Sequence, residues 1–140
     1  MTDKIEITVA TQVNAPMSKV WECWTLPEHI VHWNAASDDW HTPHAVNDVK
    51  PGGTFLFRME ARDGSVGFDL YGTYNEVETA KYIAYTLGDG RRVRIQFEND
   101  GGKTGITEIF EAETTHTPEL QQTGWQAILN NFRKYVESGR

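Results

Sequence analysis

The dipeptide Asp63-Gly64 constrains this chain more than any other feature. Asp-Gly between alternating apolar runs is the strongest short-range signal for a two-residue hairpin turn. With the turn centred there, Phe55, Phe57 and Met59 fall opposite Gly72, Leu70 and Phe68, so these five large apolar side chains share one face. The other face pairs Arg58 with Asp69, a solvated ion pair of about 0–1 kcal/mol. A slip of one residue would scatter the apolar side chains over both faces, so this turn fixes register as well as topology. Whatever the chain folds into contains an antiparallel sheet with one greasy face.

A second hairpin follows the same logic. A loop of about four residues at Asn99-Asp100-Gly101-Gly102 sets Val93, Ile95 and Phe97 opposite Phe110, Glu108 and Ile106, which lands one carboxylate on an apolar face. Between the two hairpins, a two-residue turn at Asp89-Gly90 aligns Tyr82, Ala84 and Thr86 with Phe97, Ile95 and Val93 but strands Ile83 and Tyr85 on the opposite face. That conflict points to a bulge or a longer loop and leaves the face of Ile83 and Tyr85 open.

Upstream, Ile5, Ile7, Val9 and Val13 alternate with polar residues and predict a half-buried first strand. Asn14 and Pro16 then start a helix, with Met17, Val20, Trp21 and Trp24 along one side, and Pro27 ends it. A second short helix over Pro27 to Trp33 leads into a polar loop reaching Pro51-Gly52-Gly53. Thr117-Pro118 caps a terminal helix carrying Trp125, Ile128, Leu129, Phe132 and Val136 at helical spacing. About twenty residues make it roughly 30 Å long, enough to cross a sheet. The expectation is one α+β domain over residues 1–140, with a sheet of about six or seven strands, two short helices after the first strand and a long C-terminal helix.

Charge narrows the partners. Thirteen Lys and Arg against twenty Asp and Glu give −7, which repels phosphate backbones and anionic headgroups, so neither nucleic acid nor stable membrane insertion is expected. Arg91, Arg92 and Arg94 form a basic run without aromatic interleaving, read as a charge-laced sheet surface facing Glu111 and Glu113. A lone Cys23 excludes an internal disulfide, Met1-Thr2-Asp3-Lys4 lacks a leader pattern, and no apolar run is long enough to span a bilayer, so a cytoplasmic location is expected.

Several segments together are familiar in their order. Ala15-Pro16 with an aromatic-rich first helix, Trp33 after Pro27-Glu28, Pro51-Gly52-Gly53-Thr54-Phe55, Gly72-Thr73-Tyr74-Asn75-Glu76-Val77, and Gly124-Trp125 in the terminal helix resemble the SRPBCC (START-like, helix-grip) superfamily. Within it, the chain is most similar to single-domain bacterial homologues of the activator of the heat-shock protein 90 ATPase. The resemblance implies a helix-grip fold, in which a curved antiparallel sheet wraps around the C-terminal helix and leaves a mostly apolar cavity. It fixes architecture better than activity, because this scaffold carries lipid and polyketide binding, cyclisation, hydrolysis and chaperone regulation. In the eukaryotic activators a further N-terminal domain accompanies this one, and none is expected before Ile5 here.

On a helix grip, Phe55, Phe57, Met59, Phe68 and Leu70 from one hairpin and Val93, Ile95, Phe97, Ile106 and Phe110 from the other face the long helix, with Trp125 and Ile128 looking back. The expected ligand-binding set is Phe55, Phe57, Met59, Phe68, Leu70, Ile95, Phe97, Glu108, Phe110, Trp125 and Ile128, with Gly72, Ala84 and Thr86 leaving room. Glu108 is the most informative candidate acid or base, since an ionised carboxylate between Ile106 and Phe110 must find a partner or stay protonated. Trp33 and Trp40 are candidate walls of the cavity mouth. His29, His32, His41 and His44 lie close together; His41 and His44 are the nearest approach to a metal pair but straddle Pro43, and no metal or cofactor is expected. Neither a nucleophile elbow nor a phosphate-cradling loop occurs, and Cys23 has no identifiable base. Three functions stay open, in this order: binding of a small hydrophobic molecule such as a lipid, polyketide or aromatic metabolite; a cyclase- or hydrolase-type enzyme using Glu108 or a loop histidine; and regulation of a chaperone ATPase.

Overall fold

A computed structural model describes residues 4–139; the leader reading of Met1, Thr2 and Asp3 lies outside the described residues. In chain order the elements are β1 (Glu6–Val13), α1 (Met17–Thr25), α2 (Pro27–Trp33), β2 (Trp40–Asn47), β3 (Thr54–Ala61), β4 (Gly67–Glu78), β5 (Tyr82–Leu87), β6 (Arg92–Asp100), β7 (Lys103–Glu111) and α3 (Pro118–Glu137). The seven strands form one antiparallel sheet in the order β1-β7-β6-β5-β4-β3-β2, curled into a half-barrel. Because α1 and α2 connect β1 to β2, the first two strands occupy opposite edges.

The hairpin at Asp63-Gly64 has the predicted register, with Phe55 opposite Gly72, Phe57 opposite Leu70, Met59 opposite Phe68 and Arg58 opposite Asp69. The loop is four residues long, not the two expected: Ala61 N–H donates to the Val66 carbonyl and Gly64 N–H to the Ala61 carbonyl, both at 2.9 Å, and Gly64, not Asp63, takes a positive φ of +78°. The β6–β7 register also matches, and its ladder runs on to Asp100–Lys103, so the loop shrinks to Gly101-Gly102.

The β5–β6 connection is one residue longer than the two-residue turn. Leu87 N–H donates to the Arg91 carbonyl at 2.8 Å around Gly88-Asp89-Gly90. The extra residue pairs Ile83 with Ile95 and Tyr85 with Val93, which brings both onto the concave face. A bulge in β4 between Tyr74 and Glu76 keeps Val77 in step with Ile83. Ala84 and Thr86 consequently turn outward and leave no room in the cavity; Thr86 Oγ1 donates to Asn75 Oδ1 on the outer surface. Nor is Gly72 a vacancy. A Cβ there would stand 2.9 Å from the Phe55 ring, which lies over the glycine.

The stretch expected as a polar loop contains β2, whose alternation is broken by Pro43 and a bulge between His41 and His44. As an edge strand it tolerates both. Asn14 does not cap α1: Pro16 occupies the cap, and Asn14 N–H donates to Glu137 Oε2 at 2.8 Å.

Thr117 does cap α3, accepting the Leu120 N–H on Oγ1 at 3.2 Å. Thr117→Ala should cost about 1 kcal/mol in urea unfolding; no change would mean that water replaces the cap. From there α3 packs along β1 and against α1 and α2. Gln122 and Gln126 side chains donate to the Thr8 and Ala10 carbonyls, covering the free edge of β1. Leu129, Phe132 and Val136 are fully buried. Under α1 the core is solid: Phe97 lies edge-on to Trp21 and Trp24, and the Trp24 and Trp33 rings each stand 4.8 Å from Phe132. Over β3–β5 no helix lies this close, and a space remains.

Candidate functional site

That space is a cavity of about 300 Å³ between the concave face of the sheet, the tryptophans of α1 and α2, and the first half of α3. Its size is at the low end for small-molecule sites. Phe55 anchors one wall, its ring 5.0 Å from Phe57, 5.4 Å from Tyr74 and 5.0 Å from Tyr85. Trp125 forms the roof and lies flat on Phe110, with centroids 3.8 Å apart and planes 8° off parallel.

Of the residues singled out from the sequence, Phe55, Phe57, Met59, Phe68, Leu70, Ile95, Glu108, Trp125 and Ile128 line this space. Phe97 and Phe110 do not: α1 covers the first, and the Trp125 ring separates the second from the cavity. Trp33 is a buried inner wall, not a mouth; its indole N–H donates to the Cys23 carbonyl at 3.0 Å. Trp40 stands outside the lining, 6.0 Å from Phe68. Phe68 and His116, both exposed, mark where the cavity meets solvent.

Glu108 is the chemically distinctive wall residue. Its neighbours across the ladders are Val9 and Ile95, and Ile106 and Phe110 flank it along β7, so no register position offers a partner. It is 6% exposed, and among the described residues it makes no hydrogen bond or ion pair. No fully enclosed side-chain polar atom lacks a partner among those residues, so its oxygens open on the cavity. Burial alone raises its carboxyl to about 8. Burial first, and then Glu108, push the Tyr85 phenol well above its ordinary value. The Tyr74 phenol is likewise raised by burial, and its O–H donates to Asn47 Oδ1.

Sequence reasoning missed Tyr74 and Tyr85, which period-two alternation from Gly72 and the longer β5–β6 loop would have found. It also missed the polar rim, which depends on loop closure. Arg91 Nε donates to Asp89 Oδ2 at 2.8 Å, and the His116 N–H donates to Glu113 Oε1 at 2.6 Å. Gln121 ties this rim to α3, accepting the Glu113 N–H and donating to the His116 carbonyl.

The remaining candidates lie elsewhere. His41 Nε2 stands 3.9 Å from Glu60 Oε1, and His44 sits beyond the bulge; no group of three metal-ligating side chains occurs among the described residues. His29 and His32 face Tyr135 on α3. Cys23 is buried, and burial pushes its thiol up. None of the helices among the described residues is long and apolar enough to cross a membrane.

A curled antiparallel sheet closing over a terminal helix with an apolar space between them defines the helix-grip, SRPBCC class, a fold that commonly binds hydrophobic ligands. The chain belongs to the family described as Activator of Hsp90 ATPase homolog 1-like protein, whose family model matches residues 14–137. It is similar to an AHSA1-like protein from Aeromonas hydrophila known from solution NMR, at 44% identity and TM-score 0.91, covering 96% of this chain and 94% of that one. A protein from Cytophaga hutchinsonii is 51% identical at TM-score 0.83, covering 96% and 93%. At 18% identity, a crystal structure from Nitrosomonas europaea shares the fold, with TM-score 0.82 over 96% of each chain. No curated protein matches the chain.

Proposed function

We propose that this protein binds a small, mostly apolar molecule, such as a lipid, polyketide or aromatic metabolite, in the cavity between β3–β5 and α3. Phe55, Phe57, Met59, Phe68, Leu70, Ile95, Trp125 and Ile128 supply the apolar contact, and Glu108 supplies the polar one. The observation that carries this reading is an aromatic-walled space of about 300 Å³ holding Glu108, an acid without a partner among the described residues. Apolar walls facing a void forgo dispersion contacts, so a guest that fills it stabilises the fold.

Catalysis of the cyclase or hydrolase type would use the same carboxyl. A working general base is usually oriented by a hydrogen-bonded neighbour, and Glu108 has none among the described residues, which favours binding. Chaperone regulation draws on the family's name and on no residue of this cavity.

The test is thermal unfolding against a panel of lipids, polyketides and aromatic metabolites. A ligand at about 100 times its Kd adds roughly 2.7 kcal/mol, a rise of several degrees in Tm. Leu70→Trp, which plugs the half-buried wall, should fold and lose that rise. A panel with no stabilising compound, or one that stabilises Leu70→Trp equally, overturns the reading.

A further inference from the structure

Resting on that reading, we infer that the preferred guest is a monocationic amine with an aromatic or alicyclic body, its ammonium paired with Glu108 beside the rings of Tyr85 and Trp125. A buried acid without a donor is an open half of an ion pair: its cross-strand neighbours, Val9 and Ile95, are apolar, and no other side chain among the described residues bonds to it. Aromatic faces carry a negative quadrupole that attracts cations, most strongly where water is excluded. Trp125 lies on Phe110, two residues from Glu108 along β7, and Tyr85, two residues from Ile83 in the Ile83–Ile95–Glu108 row, lines the same cavity.

An anionic head fares badly here. Arg91 is the one arginine of the lining, no lysine joins it, and its guanidinium is already held by Asp89 at 2.8 Å. Around the rim, Glu113 adds further negative charge, and His116 is engaged with it at 3.2 Å. A chain of net charge −7 also draws cations toward the opening. A fatty acid or other carboxylate could accept only one hydrogen bond from protonated Glu108 and would find no free cation among the described lining residues to neutralise its own charge.

The test uses three probes with one indole body, tryptamine, tryptophol and indoleacetate, measured by calorimetry on the whole protein. Tryptamine should bind at least about tenfold tighter than tryptophol, with indoleacetate weakest. Glu108→Gln should erase the tryptamine advantage over tryptophol, and a single cooperative urea transition shows that the variant is folded. Below the carboxyl value of about 8, tryptamine affinity should climb with pH, approaching tenfold per unit, and the climb should vanish in Glu108→Gln. The titratable groups facing Glu108 are Tyr85 and Tyr74 from the neighbouring strands, Arg91 from the β5–β6 turn, and Glu113 and His116 from the β7–α3 connection; all persist in that variant. Equal binding of tryptophol and tryptamine overturns the amine preference and leaves the apolar-ligand reading standing. Failure of all three to bind overturns this inference, and the panel melts then decide the broader reading independently.

Discussion

At about pH 8 the Glu108→Gln protein should unfold at a higher urea concentration than the wild type, and the gap should close as the pH falls toward 4.5. The folded carboxyl titrates at about 8 and the unfolded one at its ordinary value of 4.5. Between those limits the folded protein holds a proton that the unfolded chain has released. Folding therefore takes up a proton, and each unit rise in pH costs about 1.4 kcal/mol of stability. Across the window the loss is on the order of 5 kcal/mol, large against a typical total of about 5–15. Glutamine has the same shape and no such proton. Glu111 and Glu113 act with the opposite sign, because their carboxyls are held low in the folded state and the stability they contribute disappears in acid. Both are present in both proteins and cancel in the difference. A gap independent of pH would mean that water solvates Glu108 at an ordinary value, which removes the basis for pairing it with a guest.

The same quantity links stability to binding. An acid that must stay protonated in the empty cavity becomes an ion pair once an ammonium enters, so a cationic guest offsets the cost that alkaline pH imposes. Stability against pH should flatten when tryptamine is present and should not change with tryptophol.

How much of this was legible beforehand depends on what kind of residue carried the information. Turn dipeptides fixed two of the hairpin registers, and through them Glu108: once Gly101-Gly102 centres the last hairpin, the carboxyl has to sit opposite Ile95. The β5–β6 loop resisted because Gly88-Asp89-Gly90 reads equally well as a two-residue or a three-residue turn, and one residue reverses the facing of Ile83 and Tyr85. β2 was hidden by Pro43 and the histidines, since an edge strand has little apolar alternation to show. Phe97 and Phe110 expose a deeper limit. Alternation tells which side of a sheet a side chain occupies, but what lies above it is decided by α1 and by Trp125, elements distant in sequence. The rim of Arg91, Glu113 and His116 has the same origin, in the closing of a loop onto Gln121.

Phe132→Ala should be the most damaging single truncation of the helical half, costing about 3–5 kcal/mol in urea unfolding monitored by tryptophan fluorescence. Phe132 is fully buried, and its ring is the surface on which Trp24 and Trp33 both rest edge-on at 4.8 Å. The site cannot collapse easily, because Trp33 is tethered to the Cys23 carbonyl and Trp24 is wedged against Phe97. Those two tryptophans are also the inner wall of the cavity. Loss of Phe132 should therefore enlarge the cavity inward and weaken binding of a small guest, although Phe132 never touches it. A cost below about 1 kcal/mol, or unchanged affinity for tryptophol, would mean that the tryptophans hold their places without α3 behind them. The helix would then roof the cavity without setting its shape.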